Sequence, residues 1–389
     1  MVLNIRLHWA GALALAVWLL AGGAANAGGD VASGPIAVTP ESLSAAAPVA
    51  EAVLDMAFTP DNLSSMTQNL AQSFPASWPK PWTGFIGDAL IEQIRVNRPR
   101  LVQPLSEFLA GRFSTGELRA GGAFLSSPGA KAYIAYQMRP GSPELDPATL
   151  AQARDAAKIL TASADGKGFA AKLPGAQQEI GAVTQRAVVG LLPGVFIGFA
   201  QRIEADQARN ASPPNERDRL DAQLACEVFP EPQLRQQFQA QITNQVGPMF
   251  SSAGMPASWS ALFSQAADEE FALPASSLCP ELGRILGRNL SIEQTRTAAA
   301  FFATPAGRAF QSMVGEVAAN RKPTPPPPAL MRRMEIFADS PLGKQLLGTL
   351  GDRQAGQEAG MAWAMKVTPP LYERFGELAL AAEAQSASR

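Results

Sequence analysis

The chain has 389 residues, of which 47% are apolar and only 17% charged, and it contains 33 glycines and 32 prolines. Charged residues make up about a quarter of an average globular domain, so this chain is neither disordered nor fibrous. Its formal charge is −2 and it carries no long Lys/Arg block, which excludes nucleic acid as a partner because phosphate neutralisation needs clustered cations.

Arg6 precedes an apolar run from Trp9 to Ala21, and the small-residue site Ala25-Asn26-Ala27 follows. That pattern is a secretory signal peptide. The run is about a dozen residues, short of the roughly 20 that span a bilayer, and no cysteine follows the site to carry a lipid. The expectation is removal of residues 1–27, a flexible N-terminal segment over 28–47, and a periplasmic or secreted product without a transmembrane segment. Removal takes away Arg6 and His8, the sole histidine, so the formal charge becomes −3. A mature chain without imidazole excludes histidine triads, histidine-based zinc or copper sites and imidazole pH switching, and no cofactor is expected.

Beyond residue 48 the apolar spacing is helical: Leu63, Met66 and Leu70, then Ile86, Leu90 and Ile94, then Leu101, Leu105, Phe108 and Leu109. Runs of alternating β-branched residues bounded by turns are absent. Arg95, Arg98 and Arg100 read as a solvated C-terminal turn favoured by the helix dipole. Trp78, Trp82 and Trp259 fall in Pro- and Ser-rich stretches, as contact surfaces or as plugs between helix layers.

The strongest signal is self-similarity. Phe124-Leu-Ser-Ser-Pro128 recurs as Phe301-Phe-Ala-Thr-Pro305, and Ile159 to Lys167 recurs as Ile336 to Lys344, both offset by 177 residues. Pro75-Ala-Ser-Trp78 recurs as Pro256-Ala-Ser-Trp259, offset by 181. The reading is a tandem duplication, with helical repeats at 48–208 and 219–385 and a linker of turn formers at 209–218. The recurring unit is an aromatic or Leu, two residues, Ser or Thr, usually Pro, then Gly and a cation. Its four appearances are Phe124, Ser127, Pro128 and Lys131; Ser163, Gly166 and Lys167; Phe301, Thr304, Pro305, Gly307 and Arg308; and Phe337, Ser340, Pro341, Gly343 and Lys344.

The hydroxyl of each unit can N-cap a new helix while proline takes the first helical position, where a missing N–H costs nothing. Ser114 with Glu117, and Ser291 with Gln294, have capping-box spacing one helix earlier. Each unit therefore reads as helix, tight corner, helix, with Gly166, Gly307 and Gly343 allowing close helix approach. Asp146-Pro147 is another cap-plus-proline start, and Pro323 to Ala329 reads as a stiff interhelical loop. Ala187 to Ala200 is an apolar run too short to span a membrane and reads as a buried core helix. The fold class is all-α, in two similar helical lobes.

The stretch Leu105 to Tyr133, with Phe113-Ser-Thr-Gly-Glu-Leu118 and Phe124-Leu-Ser-Ser-Pro128, resembles the bacterial family called domain of unknown function 2059. Leu290 to Gln294 with Phe301 to Pro305 carries the resemblance in the second copy. It implies an exported helical protein with an F-x-x-S-P-x-G-K corner and no established activity. Two departures are Gly129, one place early, and Ala164 in place of proline.

Cys226 and Cys279 remain, and in an oxidising compartment they read as a disulfide, with two buried free thiols as the alternative. Closing that loop stabilises the fold by about 4 kcal/mol on the chain-entropy model. Ser127/Lys131 and Ser340/Lys344 have the residue types of a Ser–Lys nucleophile pair, but a capping hydroxyl is already engaged and Arg308 does not deprotonate. Asp268-Glu269-Glu270 are consecutive and fan around a helix as a solvated face. Gly121-Gly122 lies within a helix, without the strand a phosphate loop requires.

The expected function is a non-catalytic exported protein, binding an unknown protein or apolar ligand or acting as an envelope structural factor. The alternative is a hydrolase acting on envelope polymers through paired carboxylates; a holder of unfolded exported proteins would need an exposed apolar concavity. N-terminal sequencing of the exported protein is expected to begin at Gly28, and uncleaved chain in the membrane fraction overturns that reading.

Overall fold

The computed structural model describes residues 36–60, 79–137, 146–229, 256–274, 277–318 and 321–387, with isolated positions between them. The signal segment 1–27, Trp78 and the Pro-rich stretch 139–143 lie outside the described residues. Among the described residues the chain is all-α, without strands. The first helix, α1 (Pro40–Ala57), starts inside the segment expected to be flexible. Thr39 and Ser42 form a reciprocal capping box with Pro40 behind it, a start signal of the same type as the corners. Ala46, Val49, Ala50 and Leu54 of α1 are fully buried.

Helices α2 (Lys80–Val96), α3 (Arg98–Arg112), α4 (Thr115–Ser126), α5 (Pro128–Gln137), α6 (Pro147–Ala162) and α7 (Ala164–Val189) follow, and α8 (Leu192–Asn210) begins two residues later. Contacts divide the chain into two compact units, one ending at Val195 and the other running from Phe196 to Arg389. In the first unit α1 packs on α3 and α4, both of which pack on α7, while α5 and α6 form an outer hairpin. Leu101, Leu105, Leu109, Phe113, Leu118 and Phe169 fill its centre with no exposed surface, and the Phe113 and Phe169 rings meet at 5.2 Å. Arg98 does not belong to a solvated C-terminal turn: it opens α3 and pairs with Glu51 at 2.7 Å and Asp55 at 2.5 Å on α1.

The second unit contains α9 (Glu216–Val228), α10 (Ser258–Ala272), α11 (Cys279–Gly287), α12 (Ile292–Phe302), α13 (Pro305–Ala318), α14 (Pro328–Asp339), α15 (Pro341–Gly351) and α16 (Arg353–Ala387). Here α9 packs on α11 and α12, as α1 packs on α3 and α4, and α13, α14 and α15 follow as successive hairpins. Small residues let α9 and α11 close: a Cβ on Gly283 would lie 2.4 Å from the Asp221 backbone, and one on Gly287 would strike the Asp221 carboxylate. That carboxylate, 5% exposed, accepts Arg217 Nε at 2.6 Å and Thr295 Oγ1 at 3.2 Å, while the Arg217 guanidinium also donates to the Gly287 carbonyl. A buried charge so satisfied holds three helices in register; left unpaired it would cost several kcal/mol.

A second core of this unit is aromatic. Trp259, Phe263 and Phe271 of α10 meet Trp363, Tyr372 and Phe375 of α16, and Phe196 and Phe199 of α8 close it at 5.4–6.0 Å from Tyr372. Trp82 and Trp259 are each 2% exposed and helical, so both are packing residues rather than loop surfaces. Among the described residues no single helix is long and apolar enough to cross a membrane; the pair 178–189 and 192–210 passes only when taken together.

The apolar run 187–200 is buried, but as two helices rather than one. Pro193 has no N–H for the Val189 carbonyl and clashes with that turn, and the chain breaks at Gly190–Leu191. At the matching place α16 stays continuous through Pro369-Pro370. Pro369 orphans the Met365 carbonyl, and Gln207 Nε2 of α8 donates to it at 3.1 Å, while Thr368 Oγ1 donates to Ala364 at 2.6 Å. Replacing Gln207 with Leu leaves that carbonyl unsatisfied, and guanidinium unfolding is expected to show a loss of about 1–3 kcal/mol.

Candidate functional site

All four corners use one hydrogen-bond arrangement. Ser127, Ser163, Thr304 and Ser340 donate their hydroxyl protons to the carbonyls of Phe124, Leu160, Phe301 and Phe337 at 2.7, 3.4, 2.6 and 2.6 Å. The same oxygens accept backbone N–H groups of Ala130, Gly166, Gly307 and Gly343 at 3.3, 2.9, 3.2 and 3.0 Å. A Cβ on Gly166 or Gly343 would fall within 2 Å of the Leu160 or Phe337 carbonyl oxygen, and one on Gly307 would lie 2.2 Å from Phe302 Cα. The glycines thus let each new helix turn against the last turn of its predecessor. Gly129, the displaced glycine, instead admits the α6 backbone at Gln152–Ala153. Phe301 and Phe337, ahead of two successive corners, stack with centroids 3.8 Å apart.

Lys131, Lys167, Arg308 and Lys344 are exposed. Each hydroxyl donates its proton to a backbone carbonyl rather than to the lysine one turn later, as a Ser–Lys nucleophile pair would require. The corner side chains are therefore geometry rather than chemistry. Ser114 and Ser291 close their capping boxes with Glu117 and Gln294. Glu117 is additionally buried against Lys172 at 2.8 Å. Burial pushes its carboxyl up, but the Lys172 ammonium and the Ser114 N–H outweigh that and hold it below the usual carboxylate range.

Cys226 and Cys279 form a disulfide with Cα atoms 5.3 Å apart. It ties the end of α9 to the first residue of α11, and Cys279 belongs to the apolar core of Leu224, Leu286, Leu290 and Phe302.

Polar groups also gather in two further places outside the corners. A groove of about 530 Å³ lies between α1 and α4, with Ala45, Gly122 and Ala123 as small lining residues, Ser44 and Ser126 beside them, and Glu41 paired with Arg119 at 2.7 Å. In the second unit an acidic face joins Glu204 of α8, Glu269 and Glu270 of α10, and Glu373 and Glu377 of α16. The run 268–270 is thus not simply a solvated face. Glu269 accepts Arg374 Nε at 2.5 Å, and Arg374 also reaches Glu377 at 2.9 Å; Glu269 is held low chiefly by Arg374. Glu270 is pushed above the ordinary range by burial, against the pull of Arg374, with the like charges of Glu269, Glu377 and Glu373 adding to the rise. Glu204 is raised by its packed surroundings, then by Glu373 and Glu270. Burial pushes the neighbouring core phenol of Tyr372 up to about 12, so it stays neutral.

Sequence reasoning missed this face because its acids come from three helices separated by some 170 residues of chain. The readable trace was Glu373 and Glu377, one turn apart, facing nothing in the sequence that named a partner.

Comparison of the chain with protein-family models, with curated proteins and with solved structures returned no match.

Ionised Glu270 is less favourable folded than unfolded. Its contribution to stability is therefore full below the unfolded carboxylate value and is lost as pH rises through the raised folded value. Glu270→Gln is expected to raise the thermal midpoint at pH 7 and to leave it unchanged at pH 4; equal effects at both pH values would contradict the raised carboxyl.

Proposed function

We propose that this chain is an exported, non-catalytic helical protein that binds a partner or apolar ligand in the periplasm or outside the cell. The observation that carries the binding reading is the groove between α1 and α4. Its small residues leave room for an apolar side chain or acyl group. The hydroxyls of Ser44 and Ser126 and the Glu41–Arg119 pair supply polar anchors at its walls, and Ala45, Pro48, Leu118 and Ala123 supply the apolar part of its lining. Export is supported by the disulfide, which forms and persists in oxidising compartments, together with the sequence pattern of residues 1–27. We further read residues 48–208 and 219–385 as products of duplication, supported by the shared corner geometry and by helix starts at Thr115 and Ile292, and at Pro128 and Pro305. The resemblance to the domain of unknown function 2059 family rests on those same corners and stays part of this proposal.

A second reading, a hydrolase of envelope polymers, draws on the acidic face. A raised Glu270 or Glu204 has the property of a general acid, and neighbouring low carboxylates that of its partner. Loss of polymer hydrolysis in Glu270→Gln at unchanged fold would favour it.

Native mass spectrometry of the mature protein from its own envelope fraction tests the binding reading. The expected result is a reproducible added mass that disappears in Ala123→Trp, a variant that fills the groove from an exposed position. A bare wild-type chain under these conditions, with no crosslinked partner in cells, overturns it.

A further inference from the structure

The disulfide has a third group beside it. Glu231 lies just past α9, and its Oε1 accepts the backbone N–H of Leu278 at 3.0 Å and faces Arg235 Nε at 3.5 Å. The Arg235 guanidinium is itself fixed, donating to the carbonyls of Phe271 at 2.7 Å and Leu273 at 3.3 Å at the end of α10. One carboxylate oxygen is thus held by outer partners, and the other, Oε2, is presented 3.4 Å from Cys279 Sγ. A sulfur in a disulfide carries no hydrogen, so Oε2 gains no hydrogen bond from Cys279 there. Cys226, Cys279 and Glu231 together bring three ligand atoms within 4.8 Å of one another, with Cys279 buried, Glu231 half-buried and Cys226 exposed.

We propose that reduction of this disulfide creates a metal site, in which the Cys226 and Cys279 thiolates and Glu231 Oε2 bind a borderline-soft divalent cation, Zn²⁺ as the type case, with water as fourth ligand on the exposed side. Two sulfurs and one carboxylate oxygen are an ordinary zinc donor set, and three protein ligands with an open position are a stable tetrahedral arrangement. The Leu278 N–H and Arg235 orient the carboxylate as outer-shell partners orient metal ligands elsewhere. Two thiolates and a carboxylate against a dication leave one negative charge, which faces Arg235.

The reductant is an external dithiol. Its thiolate bonds to Cys226 Sγ, the exposed sulfur; the S–S bond breaks, and Cys279 leaves with the electron pair and takes a proton. The second thiol of the reagent then displaces Cys226, which also takes a proton, and the reagent departs as its own disulfide. Metal binding releases both thiol protons to solvent. The joint between the end of α9 and the start of α11 is held by a covalent bond in the oxidised protein and by the metal in the reduced one, so the 53-residue separation stays closed in both.

The test uses the full mature chain, reduced with dithiothreitol and desalted without air. Cobalt(II) titration is expected to give thiolate-to-cobalt charge transfer and tetrahedral ligand-field bands, displaced by Zn²⁺, with the oxidised protein silent. Zn²⁺ is expected to raise the melting temperature of the reduced protein and not of the oxidised one. Glu231→Gln keeps both cysteines, so its fold is checked first in the oxidised state by circular dichroism. Its reduced form is expected to bind Zn²⁺ about 10-fold more weakly or worse, on the scale of metal-site substitutions. Reduced wild type without a charge-transfer band, or Glu231→Gln binding as tightly as wild type, overturns the proposal.

Discussion

The structure depends on one short-range constraint, a hydroxyl that serves two helices at once. At Ser127, Ser163, Thr304 and Ser340 one oxygen takes up the last turn of the incoming helix and the first turn of the outgoing one. Helix ends otherwise leave carbonyls and N–H groups to water or to chance partners. The chain turns within one or two residues, and at three of the corners Gly166, Gly307 and Gly343 remove the Cβ that would strike the last turn of the preceding helix. Successive corners join the neighbouring helices α4–α5, α6–α7, α12–α13 and α14–α15.

Longer-range order comes from burying polar groups with their partners rather than from excluding them. Asp221 is reached by Arg217 and Thr295, Glu117 by Lys172 and the Ser114 N–H, and the Met365 carbonyl by Gln207. Each of these joins helices that the corners alone do not connect. An unsatisfied buried group costs about 1–3 kcal/mol, a sizeable part of the 5–15 kcal/mol that stabilises a typical domain. Alternative packings that leave these groups bare are correspondingly disfavoured.

The chemistry-bearing residues divide accordingly. Those in the corners are consumed by helix punctuation and leave their cations on the surface. Those outside the corners gather in three places: the α1–α4 groove, the acidic face of α8, α10 and α16, and Glu231 beside the disulfide. The acidic face and Glu231 each combine side chains from distant stretches of chain. Glu231 was invisible in the sequence because its neighbours Leu278 and Cys279 are nearly 50 residues away, and no spacing rule links a lone glutamate to a pair of cysteines.

The sequence by itself determined the helical class, the capping boxes at Ser114 and Ser291, the corners, and the cysteine pair, because each is a local pattern whose physics is complete within a few residues. Thr39-Pro40 belonged to the same readable set, a capping hydroxyl followed by proline, although residues 28–47 were expected to be flexible. The tertiary structure alone decided the fate of the prolines. The run 187–200 breaks beside Pro193, whereas α16 passes through Pro369 and Pro370, with Gln207 of α8 taking the orphaned Met365 carbonyl. It also decided that Glu269 pairs with Arg374 while adjacent Glu270 is raised, since neighbouring residues on a helix point 100° apart and meet different partners. A side chain's protonation and a carbonyl's partner depend on what lies across the interface, and that is set by folding rather than by adjacency in the chain.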